Sequence, residues 1–260
     1  MLWVCLKIQA IGMKKNSCKK PKFIAASVAG QLHVSKKIPC QDFYQYAVGR
    51  NIVAVVSDGA GSAKHGRIGA RILCSTICDL LKNSSFDKIE DKVIQAIRVI
   101  RQKLLFHRFN KTKDELGLSS FAATLVGVVY NRGRGVFFHI GDGAAISLGK
   151  AYDFVASRPE NGNFSCETFF FTQLAWRENL RFTKFSKASS ILLMSDGLTS
   201  FAFQPDFLDV EYKFIKPIND FLLSEKSVVR ARRALVNTLN TPKAQKLNPD
   251  DKTLVWIGAL

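Results

Sequence analysis

Three apolar runs of the sequence each lead into an Asp-Gly pair, and this repeated pattern constrains the fold more than any other feature. The runs are residues 53–57 before Asp58-Gly59, residues 136–140 before Gly141 and Asp142-Gly143, and residues 191–195 before Asp196-Gly197. Short runs rich in Val, Ile, Leu and Phe are typical of buried strands. One Asp-Gly pair alone indicates only a turn. Three pairs that follow three buried strands predict acids gathered at strand ends.

Further acids stand next to other predicted strands. Asp42 begins a strand that extends to residue 48, and Asp250 and Asp251 precede the apolar run 253–257. Converging carboxylates repel one another and are costly to bury unless a cation neutralises them. Oxygen ligands of this kind favour Mg²⁺ or Mn²⁺ over zinc. The sequence therefore predicts a divalent-metal site built from aspartates.

The order of the predicted elements indicates an α+β fold, because runs of antiparallel strands alternate with pairs of helices. We expect strands at about 23–30, 42–48, 51–57, 119–130, 136–140, 144–148, 167–172, 180–185, 190–194 and 253–257. We expect helices at about 66–81, 89–109, 216–223 and 227–239. Neither a repeat nor a low-complexity linker divides the chain, so one domain is expected.

Composition limits the functions that are open to the chain. With 260 residues and 47% apolar content it can bury one sizeable core. The net charge of +17 suits polyanionic partners, but we find no motif for specific nucleic-acid binding. The six cysteines lack metal-site spacing and are expected to be reduced thiols in a cytoplasmic protein.

The first residues differ from the rest of the chain. No apolar run reaches the length of a membrane span, and the apolar start lacks the basic segment of a signal peptide. Met13, followed by several lysines, is an alternative start. We therefore expect residues 1–21 to be an appendage and residues 22–260 to form the domain.

Six segments in order resemble the metal-dependent protein phosphatases of type 2C, in their bacterial serine/threonine branch. They are Pro39–Asp42, Val55–Ser62, Ser120–Leu125, His139–Gly143, Leu193–Gly197 and Asp250–Thr253. The resemblance covers about residues 25–260. It implies two stacked antiparallel sheets flanked by helix pairs, a four-layer α-β-β-α sandwich with metals in a cleft at one end.

The resemblance also implies roles for individual residues. Asp58 would bridge two ions, and the Gly59 carbonyl would bind one of them. Asp196 and the acid of the last motif would bind the other ion, and spacing to Thr253 favours Asp250 over its neighbour Asp251. Asp42 would act directly or through water, and Asp142 would help to hold a third ion. The implied reaction is attack on phosphorus by a metal-bridged hydroxide.

The chain departs from the family pattern at three positions. Many members carry glutamate where this chain has Gln41, and some carry histidine where it has Ala60. The general acid therefore stays unidentified, with His65 as a weak candidate. Lys37 occupies the region of the phosphate-binding arginine, and lysine offers a point charge rather than a planar fork.

The favoured function is hydrolysis of phosphoserine and phosphothreonine in proteins, with two Mn²⁺ or Mg²⁺ ions. The alternative is a weak or inactive pseudophosphatase that binds phosphoproteins as a regulatory module, and the three departures motivate it. Expected partners are a phosphoprotein substrate and a cognate serine/threonine kinase, for a monomer that takes part in signalling.

Overall fold

The computed structural model describes residues 20–107, 117–160, 168–258 and 260. Ten antiparallel strands form two five-stranded sheets within these residues. The first sheet has the order β1-β10-β9-β6-β7, and the second has the order β2-β3-β4-β5-β8. The strands are β1 Lys22–Val28, β2 Phe43–Val48, β3 Ile52–Ser57, β4 Leu125–Asn131, β5 Arg134–Ile140, β6 Ala144–Leu148, β7 Phe154–Ser157, β8 Arg181–Ser186, β9 Ser190–Met194 and β10 Lys252–Gly258.

Two pairs of helices cover the outer faces of the sheets. The long helices α2 and α3 pack on the second sheet, and α5 and α6 pack on the first. Shorter helices connect these elements. The helices are α1 Gln31–Ser35, α2 Gly66–Leu81, α3 Ile89–His107, α4 Thr199–Ala202, α5 Tyr212–Ser224, α6 Val228–Leu239 and α7 Pro242–Leu247.

Side chains that alternate along the strands divide the core into three layers: one between the two sheets and one between each sheet and its helices. In β3, Val53 and Val55 face helices α2 and α3, whereas Ala54 and Val56 face the other sheet. Successive side chains of a strand point to opposite faces, so a strand covered on both sides reads as a continuous apolar run. The predicted α-β-β-α sandwich is confirmed.

Most predicted elements are present, but the strand expected from Ser119 begins only at Leu125. Residues 117–121 form a 3₁₀ helix instead. The backbone here forms hydrogen bonds with the loop after Asp58: the Ser120 carbonyl accepts from the amide of His65, and the Ala122 carbonyl accepts from the amide of Ala60. Because these carbonyls are bonded to the loop, they are not available to pair with a neighbouring strand.

The strand expected at 167–172 is absent from its described part, residues 168–172. The guanidinium of Arg101 binds the carbonyls of Phe171 and Gln173 at 2.8 and 2.9 Å, so these groups are not free to pair with a strand. Strand β7 and the short helices α1, α4 and α7 were not predicted.

Helix α5 begins four residues before its predicted start at Lys216. The carboxylate of Glu211 accepts a hydrogen bond from the amide of Lys213 and caps the first turn, and the helix continues through Pro217. Buried Ile215 and Leu222 fix it on the first sheet. Packing overrides the local preference of proline for a helix start.

The cysteines that the structure describes are free thiols, with Cys74 and Cys78 buried against strand β2. Cys5, Cys18 and Cys166 lie outside the described residues, as does nearly all of the predicted appendage. Over the part of the chain that the structure describes, no helix is long and apolar enough to cross a membrane.

Candidate metal centre

Strand register brings the predicted acids to one end of the sandwich. Phe43 pairs with Ser57, so Asp42 and Asp58 lie beside each other just beyond that pair. In the other sheet, Met194 pairs with both Ala144 and Leu254. This pairing places the Asp142 turn, Asp196 and the acids before β10 at the same edge. Acids far apart in sequence thus meet because their strands end together.

Ser195 joins the two sheets at this edge. Its hydroxyl donates a 2.7 Å hydrogen bond to Oδ2 of Asp42 and accepts one of 3.0 Å from the amide of Thr253. Both Ser195 and Asp42 are buried. One hydroxyl therefore fixes Asp42 relative to strands β9 and β10.

Two of the glycines in the Asp-Gly pairs are needed for close backbone contact rather than for a hairpin turn. A Cβ on Gly59 would lie 2.4 Å from the carbonyl carbon of Gly66, at the start of α2. A Cβ on Gly197 would lie 1.9 Å from the carbonyl oxygen of Asp251. Neither space admits a side chain. The glycines let the loops after Asp58 and Asp196 pack tightly against their neighbours.

Burial and mutual repulsion both raise the pKa values of the acids at this edge. Burial raises the pKa of Asp58 well above its usual value, and the carboxylates of Asp42, Asp196 and Asp250 raise it further. Burial likewise raises the pKa of Asp196, with Asp142 and Asp250 contributing. The pKa of Asp42 rises to about 6, chiefly through burial, although the Ser195 hydroxyl opposes this. Proximity of this kind favours a bound cation.

Unpartnered oxygen atoms make the fit to a divalent ion specific. Oδ1 of Asp42, Oδ1 of Asp142 and Oδ1 of Asp196 are buried without a hydrogen-bond donor, and so is Oε1 of Gln41. Buried acceptors are normally satisfied, and exceptions require an explanation such as an ion or water. Hard oxygen ligands match Mg²⁺ and Mn²⁺. The donor set therefore fits the predicted metals.

Asp250 and Asp251 are adjacent but have different surroundings. Asp251 is 1% exposed, and both of its oxygens are in use. Oδ1 accepts from the amide of Gly30 at 2.8 Å and contacts Nδ1 of His33 at 2.9 Å, and Oδ2 accepts from the amide of Gln41 at 2.6 Å. Asp250 instead acts on Asp58 and Asp196 through its charge.

His33 joins these two acids in a compact group. Among the residues that the structure describes, the candidate ligand atoms of His33, Asp250 and Asp251 all lie within 4.8 Å of one another. The ligand atoms of Asp58, Asp196 and Asp250 do not all lie within this distance of one another. Because both Asp251 oxygens already accept from backbone amides, we interpret the His33 contact as one that holds helix α1 against this edge.

The Asp142 carboxylate is hydrogen-bonded to a residue of the loop that precedes β8. The Thr168 hydroxyl donates to Oδ2 of Asp142 at 2.7 Å. Arg101 anchors the same loop from helix α3 through the carbonyls of Phe171 and Gln173. Sequence analysis missed both contacts, because nothing in the local pattern around Arg101 or Thr168 distinguishes them.

The three basic residues considered for the site lie in different surroundings. His65 immediately precedes helix α2, and its ring lies 5.3 Å from that of Phe121. Lys37 is exposed and has a φ of 54°. His139 is buried: Nδ1 lies 2.9 Å from the Ser157 hydroxyl, while Nε2 has no hydrogen-bond partner. Roles for His65 and Lys37 in catalysis or phosphate binding stay predictions.

Comparison with known families decides the identity of the fold. The sequence model described as "Protein phosphatase 2C" matches residues 29–247. This chain belongs to the protein phosphatase 2C family. The matched region contains every predicted site residue except Asp250 and Asp251, which follow it directly.

Bacterial proteins are among the relatives of this 2C phosphatase. Serine/threonine-protein phosphatase 3 of Escherichia coli K12 is 24% identical over 247 residues, which cover 90% of this chain and 96% of that protein. The structure of the Staphylococcus aureus serine/threonine phosphatase Stp1 has a TM-score of 0.62 at 14% identity, covering 92% and 94% of the two chains. The catalytic domain of PstP, in complex with two manganese ions, has a TM-score of 0.61 at 16% identity, covering 92% and 97%.

These comparisons confirm the predicted family, the two-sheet fold and the phosphatase class. Nothing in them favours the inactive alternative.

Proposed function

We propose that this chain hydrolyses phosphoserine and phosphothreonine in proteins by means of two divalent metal ions. The observation that carries the proposal is the set of buried, unpartnered carboxylate oxygens of Asp42, Asp142 and Asp196, which lie at one end of the sandwich. Membership of the 2C phosphatase family gives the reaction class. The PstP domain bound to two manganese ions supports a two-ion site here.

We assign the ligands by their surroundings. Asp58, whose pKa the charges of Asp42, Asp196 and Asp250 raise, would contact both ions, with the Gly59 carbonyl beside it. Asp196 and Asp250 would hold one ion, Asp142 would contribute to a third, and Asp42 would act directly or through water. Asp251 holds the backbone of residues 30–41. When bound, the ions would acidify a water molecule and neutralise phosphate charge.

The protein groups around the ions would orient the substrate and exclude water. Ser195 holds Asp42, and Thr168 holds Asp142, so neither carboxylate needs to reorganise when an ion binds. Lys37 would attract the phosphate from its exposed position. Mn²⁺ and Mg²⁺ both suit the oxygen donors.

Wider features of the function are also proposed. Free buried thiols at Cys74 and Cys78 support a reducing, cytoplasmic location. The charge of +17 disfavours self-association and supports a monomer that meets acidic phosphoproteins. A cognate serine/threonine kinase and a role in signalling follow from the reaction itself, because a phosphorylated substrate needs a kinase to form it.

The test measures hydrolysis of p-nitrophenyl phosphate and of phosphoserine, phosphothreonine and phosphotyrosine peptides. We expect turnover with Mn²⁺, loss of turnover in EDTA, and a loss in Asp58→Asn larger than the roughly 10–100-fold typical of outer-shell changes. Asp79→Asn, on the exposed face of α2, is the matched control. Full activity in EDTA would refute the proposal, and peptide binding without turnover would favour the inactive alternative.

A further inference from the structure

A wide pocket lies at the end of the sandwich opposite the metal centre. Strand register fixes its position: Val48 pairs with Ile52 at one turn and Asn131 pairs with Arg134 at another, whereas the acids stand at the other ends of the strands. The pocket has a volume of about 990 Å³, which is large enough for a small-molecule ligand. Among the described residues, none of the proposed metal ligands lines it.

The charges around this pocket are unbalanced. Its described lining has four basic side chains but only one acidic side chain, that of Asp153. The four basic residues are Arg50, Arg132, Lys150 and Lys187. All four are exposed, and the salt bridges of the described residues involve none of them. The groove at the start of α3 is different, because three acidic residues there balance three basic ones. The distal pocket is therefore complementary to an anion.

Two of these basic side chains stand on backbone that other residues adopt more readily. Arg132 has a φ of 46° and Lys187 has a φ of 56°, in the left-handed region that residues other than glycine seldom occupy. Arg132 and Gly133 form the tight turn between β4 and β5, where asparagine is preferred before glycine. The amide of Lys187 donates to the Gly133 carbonyl at 2.8 Å, so the two turns lie together. Backbone of this kind is concentrated at functional sites.

The floor of the pocket is apolar. Tyr130 and Ala188 belong to the layer between the two sheets and are each 6% exposed. Ile52 and Leu260 pack against the same layer, and the ring of Phe185 is stacked on that of Tyr130 with 6.1 Å between their centroids. A ligand that matches both the floor and the rim has several negative charges and an apolar ring.

We propose that this distal pocket binds a nucleoside polyphosphate. The phosphates bind the side chains of the basic rim, where arginine offers a planar fork and lysine a point charge. The base lies on the apolar floor near Tyr130. The site is separate from the metal centre, so binding requires neither a divalent ion nor turnover.

The experiment measures binding of ATP, tripolyphosphate and adenosine by calorimetry, in EDTA and at about 150 mM salt, where the Debye length is about 8 Å. EDTA prevents divalent ions from linking ATP to the acids of the metal centre. We expect ATP to bind, and tripolyphosphate to bind about tenfold more weakly because it lacks the base. Adenosine, which lacks the phosphates, should not bind detectably.

A double variant tests the two residues of left-handed backbone. Arg132→Asn/Lys187→Asn should weaken ATP binding by about tenfold or more, because two cations are lost. The matched control is Arg134→Gln/Lys184→Gln, which removes the same charge from the neighbouring groove and should keep the affinity for ATP. This control separates a specific site from general attraction by the basic protein.

Stability provides a readout that a structural role would move in the opposite direction. Without ATP, Arg132→Asn/Lys187→Asn should raise the melting temperature by about 2–4 °C, because asparagine adopts the left-handed conformation more readily. A lower melting temperature would show that the two residues serve the fold. That result, undetectable ATP binding, equal loss of affinity in both double variants, or equal affinity for ATP and tripolyphosphate would each overturn the proposal. Because binding is measured in EDTA, the result does not depend on the phosphatase proposal.

Discussion

The Ser195 hydroxyl donates a 2.7 Å hydrogen bond to Oδ2 of Asp42 and thereby connects residues that are 153 positions apart in sequence. Ser195 follows strand β9 and Asp42 precedes strand β2, so this bond joins the two sheets at the metal centre. It leaves Oδ1 of Asp42 buried and without a donor. The bond therefore satisfies Oδ2 of Asp42 and leaves Oδ1 available to an ion.

We expect Ser195→Ala to lower the free energy of unfolding by about 1–3 kcal/mol, because Asp42 and the amide of Thr253 both lose a buried partner. Mn²⁺ affinity should fall as well, since Asp42 is no longer fixed. Urea denaturation and Mn²⁺ titration measure the two effects. Ser35→Ala removes an exposed hydroxyl and is the control. Unchanged stability would contradict the role of this bond.

Asp250 and Asp251 should respond differently to loss of charge. Asp250→Asn should abolish tight Mn²⁺ binding with little effect on stability in EDTA, because its side chain accepts only from the amide of Asp251. Asp251→Ala should cost about 3 kcal/mol or more, because two buried backbone amides lose their acceptor and His33 loses its contact. Calorimetry and denaturation separate the two outcomes. The reverse pattern would make Asp251 the ligand.

Gln41→Glu should have opposite effects with and without metal. Oε1 of Gln41 is buried without a donor, and a Cβ on Gly61 in the loop after Asp58 would lie 3.7 Å from it. An added negative charge near the acids should lower the melting temperature in EDTA and tighten Mn²⁺ binding about tenfold. Gln204→Glu, on an exposed turn, is the control. Equal affinity in both proteins would show that position 41 does not contact the metal environment.

His139 should make the protein sensitive to acid. Burial lowers the pKa of His139 well below its usual value, and the charge of Arg181 lowers it further. A histidine that is neutral when folded binds fewer protons than in the unfolded chain, so stability falls as pH drops below about 6.5. The loss should reach about 1 kcal/mol or more at pH 5.

The measurement compares denaturation of wild type and His139→Gln at pH 8 and pH 5. The variant should be less stable at pH 8, because its contact with Ser157 is altered, and it should lose less stability on acidification. Ser157→Ala, which alters the same contact and keeps the histidine, is the control and should keep the acid sensitivity of the wild type. Equal acid sensitivity in wild type and His139→Gln would contradict the assignment.

Local sequence predicted elements well where periodicity and burial agreed. Helix α2 has the predicted bounds of residues 66–81, and strand β9 has the predicted bounds of residues 190–194. The prediction failed where the backbone binds loops or side chains instead of a strand, as at residues 119–124 and 168–172. These backbone hydrogen bonds depend on residues far away in sequence, including His65 and Arg101, and they leave no pattern in the local sequence.

The sequence by itself determined the family, the acids and the buried strands that carry them, because five of the six motifs place an aspartate next to a predicted strand. Only the tertiary structure decided how neighbouring residues divide their roles. Among the described residues, the Asp250 carboxylate accepts only from the amide of Asp251, the Asp251 carboxylate binds the amides of Gly30 and Gln41, and Lys252 is buried with Nζ on the Asp250 carbonyl. Successive residues at a strand end point in different directions, and their surroundings come from elements far away in the chain.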